Sequence, residues 1–273
     1  MCARLIATVV GALVSTAAFA QTPTVENGTL ETHAVTRGLA REVASIAERL
    51  TQPAWIGYAV KIPTRDSVDG CWSGDRGYNA RRLTTLKLEG PDELYVLYRL
   101  ADRSVDRIKV ASSECPLDVG GLTLHWLTGV SSADSLEYLT TFTAGDAARK
   151  LSNSAITAIA LHADPGASDR LIALARNGQT SGVRSQALFW VAQRAGNRAA
   201  GVITDALDKD PDTEVKKRAV FALSQLPKDE GIPKLIDVAR NNRNREVRRQ
   251  AMFWLGQTND PRALKFFEEV LRP

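Results

Sequence analysis

Of its 273 residues the chain has only three histidines, three cysteines and two methionines. The histidines, His33, His125 and His162, share no metal-like spacing with one another or with the cysteines, so the sequence offers no footing for a zinc or haem centre. No C-x-x-C pair occurs, which removes the usual close dithiol. The patterns G-x-S-x-G, G-x-x-x-x-G-K-S/T and H-E-x-x-H are also missing. After residue 20 no apolar run approaches the roughly 20 residues that a membrane span needs. These gaps lead to four expectations: no catalytic constellation, no cofactor, no metal and no membrane-spanning segment.

The first residues are read as a secretory signal. Arg4 gives a positive start, Leu5 to Val14 is a short apolar run, and Ala18-Phe19-Ala20 is a small-x-small cleavage site before Gln21. The expected location is periplasmic or secreted. Cleavage would take Cys2 away and leave Cys71 and Cys115, and two thiols in an oxidising compartment are expected to pair. Closing that loop is worth up to roughly 4 kcal/mol on the chain-entropy account.

Charge divides the chain. Residues 21–144 hold 13 Lys and Arg against 16 Asp and Glu, whereas residues 145–273 hold 21 against 15. The second part is therefore the basic one, at +6. In an exported protein this favours acidic proteins or anionic surfaces as partners over nucleic acid.

Pattern divides it at the same place. Residues 21–147 read as an α+β domain. Leu39, Val43, Ile46, Ala47 and Leu50 recur at helical spacing within a helix expected over His33 to Thr51. Alternating stretches then follow: Ile56 to Ile62, Leu94 to Leu100, Val105 to Ala111, Leu122 to Leu127, and a shorter one at Thr84 to Leu88. The expected architecture is an antiparallel β-meander against the helix, with Cys71 and Cys115 stapling its loops. Asp66, Asp69 and Asp75 cluster near Cys71, but not with the spacing of a calcium loop.

From residue 148 onward the chain repeats itself every 32 residues. Val183, Val215 and Val247 form one column, Ala187, Ala219 and Ala251 a second, and Phe189, Phe221 and Phe253 a third. Leu151 and Ala155 begin a more degenerate copy, so four units fill 148–273. Each unit holds two short helical patterns, neither able to bury its stripe alone, and stacking must make the core. "EVKKRAVFALSQLPKDEGIPKLIDVAR" and "EVRRQAMFWLGQTNDPRALKFFEEVL" resemble HEAT repeats of the short bacterial kind. The combination is similar to secreted bacterial HEAT-repeat proteins of unassigned role, and some relatives with such repeats are bilin lyases. The resemblance implies an all-α solenoid of helix pairs whose second helices line the face that commonly binds partners.

On that face the outward columns are Arg170 and Lys234, then Asp205, Asp237 and Glu269, then Arg176, Asp208, Arg240 and Arg272. Their mixed signs suit a protein surface better than a phosphate backbone. The basic column Arg184, Lys216, Arg248, with Asp210 and Asp212 in the turns, reads as a ladder between repeats. The Phe189, Phe221, Phe253 column reads as stacking between repeats, and Trp190 and Trp254 as packing between helices. The expected role is protein–protein interaction or scaffolding without catalysis. The alternative is a small-ligand or peptide site on the N-terminal β-domain, with the repeats as a docking arm.

Overall fold

The computed structural model describes residues 22–64 and 92–272. The signal segment, Cys71, the acidic cluster at 66–75 and the strand expected at 84–88 lie outside the described residues.

Among the described residues the N-terminal part is a five-stranded sheet with one small two-stranded annex. Its strands are β1 (Val25–Glu26), β2 (Thr29–Ala34), β3 (Ala54–Lys61), β4 (Glu93–Ala101), β5 (Ser104–Ser112), β6 (Leu117–Asp118) and β7 (Thr123–Thr128). The main sheet runs β2-β7-β3-β4-β5, and β1 pairs with β6. Pairing is antiparallel for β3 with β4 and for β4 with β5, but parallel for β7 with both β2 and β3. The sheet is thus mixed, which corrects the expected antiparallel meander. The reason lies in direction: β4 runs against β3 and β5 against β4, so β5 runs the same way as β3 and a hairpin cannot carry the chain from β5 to a parallel β7. Residues 113–122 make the crossover instead, passing through β6.

Helix α1 spans Leu39–Arg49, and the six residues before Val35 form strand β2. The expected helix start at His33 is therefore corrected. Gly38, at φ 87° and ψ 151°, holds a backbone conformation open to glycine and blocks helix before Leu39. α1 carries the chain from β2 to parallel β3 across the sheet.

Both faces of the sheet are covered. One face, with Ile56, Tyr58, Val96, Tyr98 and Leu127, belongs to the main core. The other holds Tyr95, Leu97, Leu124 and Trp126 beneath Leu117 and Val119 of the crossover.

Among the described residues nine more α-helices follow: α2 (Ser132–Thr141), α3 (Ala148–Ala160), α4 (Pro165–Asn177), α5 (Ser181–Arg194), α6 (Ala199–Lys209), α7 (Thr213–Ser224), α8 (Lys228–Asn241), α9 (Arg245–Gly256) and α10 (Pro261–Leu271). From α3 on, α3 packs with α4, α5 with α6 and α7 with α8. The first helices α3, α5, α7 and α9 pack in succession, as do α4 with α6 and α8 with α10. The repeat columns explain why. Val183, Val215, Val247, Ala187, Ala219 and Ala251 are all wholly buried, and so are Leu171, Ile203 and Leu235 of the second helices. Alanine at the fixed column keeps neighbouring first helices close. Second helices begin on Asp-Pro in α4 and α10: Asp164 and Asp260 accept hydrogen bonds from the amides of Gly166 and Arg262, and the proline takes the first helical position.

The sheet and the helix pairs share one core, which runs unbroken from Leu39 to Phe266. α3 lies against β5, and the turn after it is bonded to the sheet, where Ala163 N–H donates to the Lys61 carbonyl at 2.8 Å. Beside it runs a chain of buried hydroxyls. His162 Nδ1 lies 2.7 Å from the Ala158 carbonyl and must donate to it, which leaves Nε2 as an acceptor. Ser135 Oγ donates to that Nε2 at 2.8 Å, Tyr58 donates to Ser135 at 2.7 Å, and Tyr98 donates to Tyr58 at 2.8 Å. Burial drives both tyrosines well above the ordinary phenol range, so they stay neutral. A serine within hydrogen-bond reach of a histidine has the form of an activated nucleophile. Here Ser135 and His162 are both wholly buried, and the pair serves to bind α2 and α3 to the sheet.

Candidate functional site

The surface built by the repeats starts at the turns that open each first helix. Thr180, Asp212 and Asn244 cap α5, α7 and α9, accepting from the amides of Val183, Glu214 and Glu246. These caps also reach sideways. Asn244 Nδ2 donates to Thr213 Oγ1 at 3.0 Å, one repeat back, and the Asp212 carboxylate bonds Ser181 in the same way. The Glu214 amide first, and Ser181 after it, holds the Asp212 carboxyl below its usual range.

The basic column sits one turn further on. Arg184 Nη1 donates to the Gly178 carbonyl at 2.9 Å, Lys216 Nζ to the Asp208 carbonyl at 3.1 Å, and Arg248 Nη1 to the Asn242 carbonyl at 2.7 Å. Each cation therefore closes the C-terminal end of the second helix before it, where free carbonyls and the helix dipole favour positive charge. Arg184 alone among the three also grips the next repeat, with Nε and Nη2 donating to both Asp210 oxygens at 2.6 and 3.0 Å. That carboxylate raises the Arg184 pKa above its ordinary value. In the next repeat the position equivalent to Asp210 is Asn242, which carries no charge and offers Lys216 no carboxylate there. Arg184→Ala is expected to cost about 2 kcal/mol in urea unfolding, a value reduced because the pair lines an open cleft. Arg248→Ala, which loses only carbonyl contacts, is expected to cost less than half as much.

The second-helix face carries the mixed charges, and several are engaged with one another. Arg176 reaches Asp205 at 3.2 Å, Arg240 pairs with Glu269, and Arg198 reaches Asp169 at 2.6 Å. All three pairs span 29 residues, from one repeat to the next. Lys209 also reaches Asp205 at 2.7 Å, and it is the main cause of the lowered Asp205 pKa. Asp237 accepts from Asn241 on its own helix. Asp208 and Arg272 are exposed, while Arg170 and Lys234 are half-buried.

Between these helices lie two clefts. One, of about 660 Å³, runs between α4 and α6, with Ala175, Val202 and Ala206 on its floor and Arg176, Asp205 and Lys209 on its rim. The other, of about 430 Å³, lies between α6 and α8, floored by Leu207, Leu223 and Val238 and rimmed by Asp208, Lys234 and Asp237. An apolar floor between rims of both signs suits a side chain from another protein, and such pairing gives register as well as contact.

The aromatic columns run along the first helices. Phe189 and Phe221 stack with centroids 6.1 Å apart and planes 4° apart, and Arg218 lies over the Phe221 ring at 5.6 Å. The next rung changes residue, because Phe221 meets Trp254 at 4.8 Å. Phe253 is left 53% exposed, touching Trp254 edge-on. Trp190 and Trp254 are half-buried, and Ala222 at the equivalent position in α7 is wholly buried.

The span with this geometry has a known counterpart. Residues 201–273 match the family model for HEAT repeats. Residues 201–273 are HEAT repeats. The match takes in α6 to α10, with the Arg240–Glu269 pair that joins α8 to α10. The comparison with curated proteins returns no match. The buried columns continue before residue 201, since Ala155 and Ala187 are wholly buried like Ala219 and Ala251.

Sequence reasoning picked out the columns but not their partners. The 29-residue offset of the ion pairs is visible in the sequence only once a helix pairing is known. The hydroxyl chain from Tyr98 to His162 joins residues 27 to 77 positions apart, which no local pattern marks.

Proposed function

We propose that this protein is an exported, non-catalytic interaction or scaffold protein, whose residues 148–273 form an α-solenoid that binds a protein partner along its second helices. HEAT repeats generally mediate protein–protein contact. The observation that carries the reading is the pair of clefts with apolar floors and rims of both signs. The excess of positive charge in residues 145–273 favours an acidic partner. Export places Cys71 and Cys115 where a disulfide forms. Cys115 is buried in the turn after β5, a position from which a bridge would brace the crossover.

The test uses the full chain. Lys234→Glu with Asp237→Lys reverses both signs on one cleft rim, and its effect on stability is expected within about 1 kcal/mol because Asp237 is exposed and Lys234 only half-buried. Crosslinking in the native envelope is expected to lose the partner captured by the wild type. A doubly reversed protein that keeps every partner would remove this face from the interaction.

A second reading rests on the other end of the molecule. Among the described residues β5 is the outermost strand on its side of the main sheet, and a cleft of about 500 Å³ runs between it and α3, lined by Asp106, Ile108, Val110, Lys150 and Asn153. An extended peptide adding to that edge would place alternate side chains in the cleft.

A further inference from the structure

On β2, Glu31 and His33 are two residues apart and so point to one side of the sheet, the side of α1. The strand next to it, β7, places His125 opposite Glu31 in the parallel register. Three donor atoms converge there. His33 Nε2 and His125 Nδ1 lie 3.1 Å apart, Glu31 Oε2 lies 3.3 Å from the His125 nitrogen, and 3.8 Å from that of His33. Among the described residues this is the group of three or more such side chains whose ligand atoms converge.

Those separations have a geometric meaning. Zinc holds imidazole nitrogen at about 2.0–2.1 Å and carboxylate oxygen at about 2.0–2.2 Å, so two ligands at the tetrahedral angle stand roughly 3.3–3.4 Å apart. The three distances bracket that value. Two imidazole nitrogens facing each other at 3.1 Å also need one shared proton or a common cation between them. Arg49, at the end of α1, adds a positive charge that weakens cation binding without touching the ligand set.

We propose that Glu31, His33 and His125 form a divalent transition-metal site of the zinc class, with three protein ligands and the fourth position open. The site goes beyond the partner-binding reading and does not depend on it. The ion would clip edge strand β2 to β7, and the open position would face solvent, because Glu31 is exposed and His33 partly so. Nitrogen and oxygen donors without thiolate favour zinc, cobalt or nickel over calcium or magnesium.

The test uses tag-free full-length protein stripped with chelator. One equivalent of Co²⁺ is expected to give the intense visible bands of a low-symmetry four-coordinate site, which Zn²⁺ then bleaches by displacement. Calorimetry with Zn²⁺ is expected to give one site per chain, and saturating Zn²⁺ to raise the melting temperature. Glu31→Gln changes an exposed side chain and leaves the fold intact. It is expected to weaken Zn²⁺ binding by about 10-fold or more, and His125→Ala to abolish it. A hydrogen-bonded His–His–Glu clasp would hold the strands without any of these signals. Absence of the cobalt bands, or Zn²⁺ binding that is unchanged in both variants, overturns the proposal.

Discussion

Trp126→Ala is expected to lower the unfolding free energy by about 3–5 kcal/mol, among the largest losses a single truncation in this protein should give. The indole is wholly buried on the crossover face of the sheet, edge-on to the Tyr95 ring at 4.8 Å and 79°. It lies over Gly57 of β3, where a Cβ would stand 3.1 Å from the Trp126 ring and 2.6 Å from Leu97. The glycine therefore makes the room that the indole fills, and its removal leaves a void walled by strands that cannot close in. Among the described residues Nε1 finds no hydrogen-bond partner. Trp126→Phe should consequently cost far less, since it gives up area but no bond. Urea titration followed by far-UV circular dichroism measures both. An alanine variant within about 1 kcal/mol of wild type would mean that the crossover collapses onto the sheet.

His162→Ala comes next, at about 3 kcal/mol, because it leaves both the Ser135 hydroxyl and a void without compensation in a dry site. Its second signature is pH. Burial holds the His162 imidazole below its ordinary range, with the Ala158 carbonyl and Asp164 pulling the other way. In the unfolded chain the ring takes its proton near pH 6.5. Between that value and the lower folded one, the unfolded state binds more protons, so stability rises with pH. The His162 contribution is thus complete above about pH 6.5 and is lost as the pH falls below it. His125 shifts in the same direction, so the wild-type slope contains both. The difference between wild type and His162→Ala isolates the buried ring. Equal acid slopes in the two proteins would show that His162 is not held neutral. The sheet and the helix pairs should also unfold together, because one core spans them.

The legible parts of this fold were those that repeat or alternate. Val183, Val215 and Val247 announce the first helices, and Ile56, Tyr58 and Val60 announce β3, because each carries a period that burial imposes. β2 escaped for the opposite reason. Its sequence, Thr29-Leu-Glu-Thr-His-Ala34, is an edge strand with one half-buried leucine and no apolar alternation. The adjacent amphipathic stripe of α1 then drew the helix back over it. That error hid the cluster at His33, since a histidine assigned to a helix cannot be seen beside another 92 positions away in a strand. The parallel pairing of β7 was equally hidden, because alternation reports which face a residue takes and not which way the strand runs. On the helical face, charge columns were readable while their pairing was not, and the pairing decides how much charge is left for a partner.

The shared core between sheet and helices has one more consequence. A stack of identical helix pairs has no intrinsic polarity of stability, since each interface resembles the last. Here α3 rests on β5 and on the bonded turn at His162, whereas α10 leaves Leu264 and Leu271 in water. The stack is therefore anchored like a bookcase fixed to one wall, firm at its first pair and compliant at its last. Binding near α10 would meet a surface that can adjust, and binding near α4 a surface that must already fit.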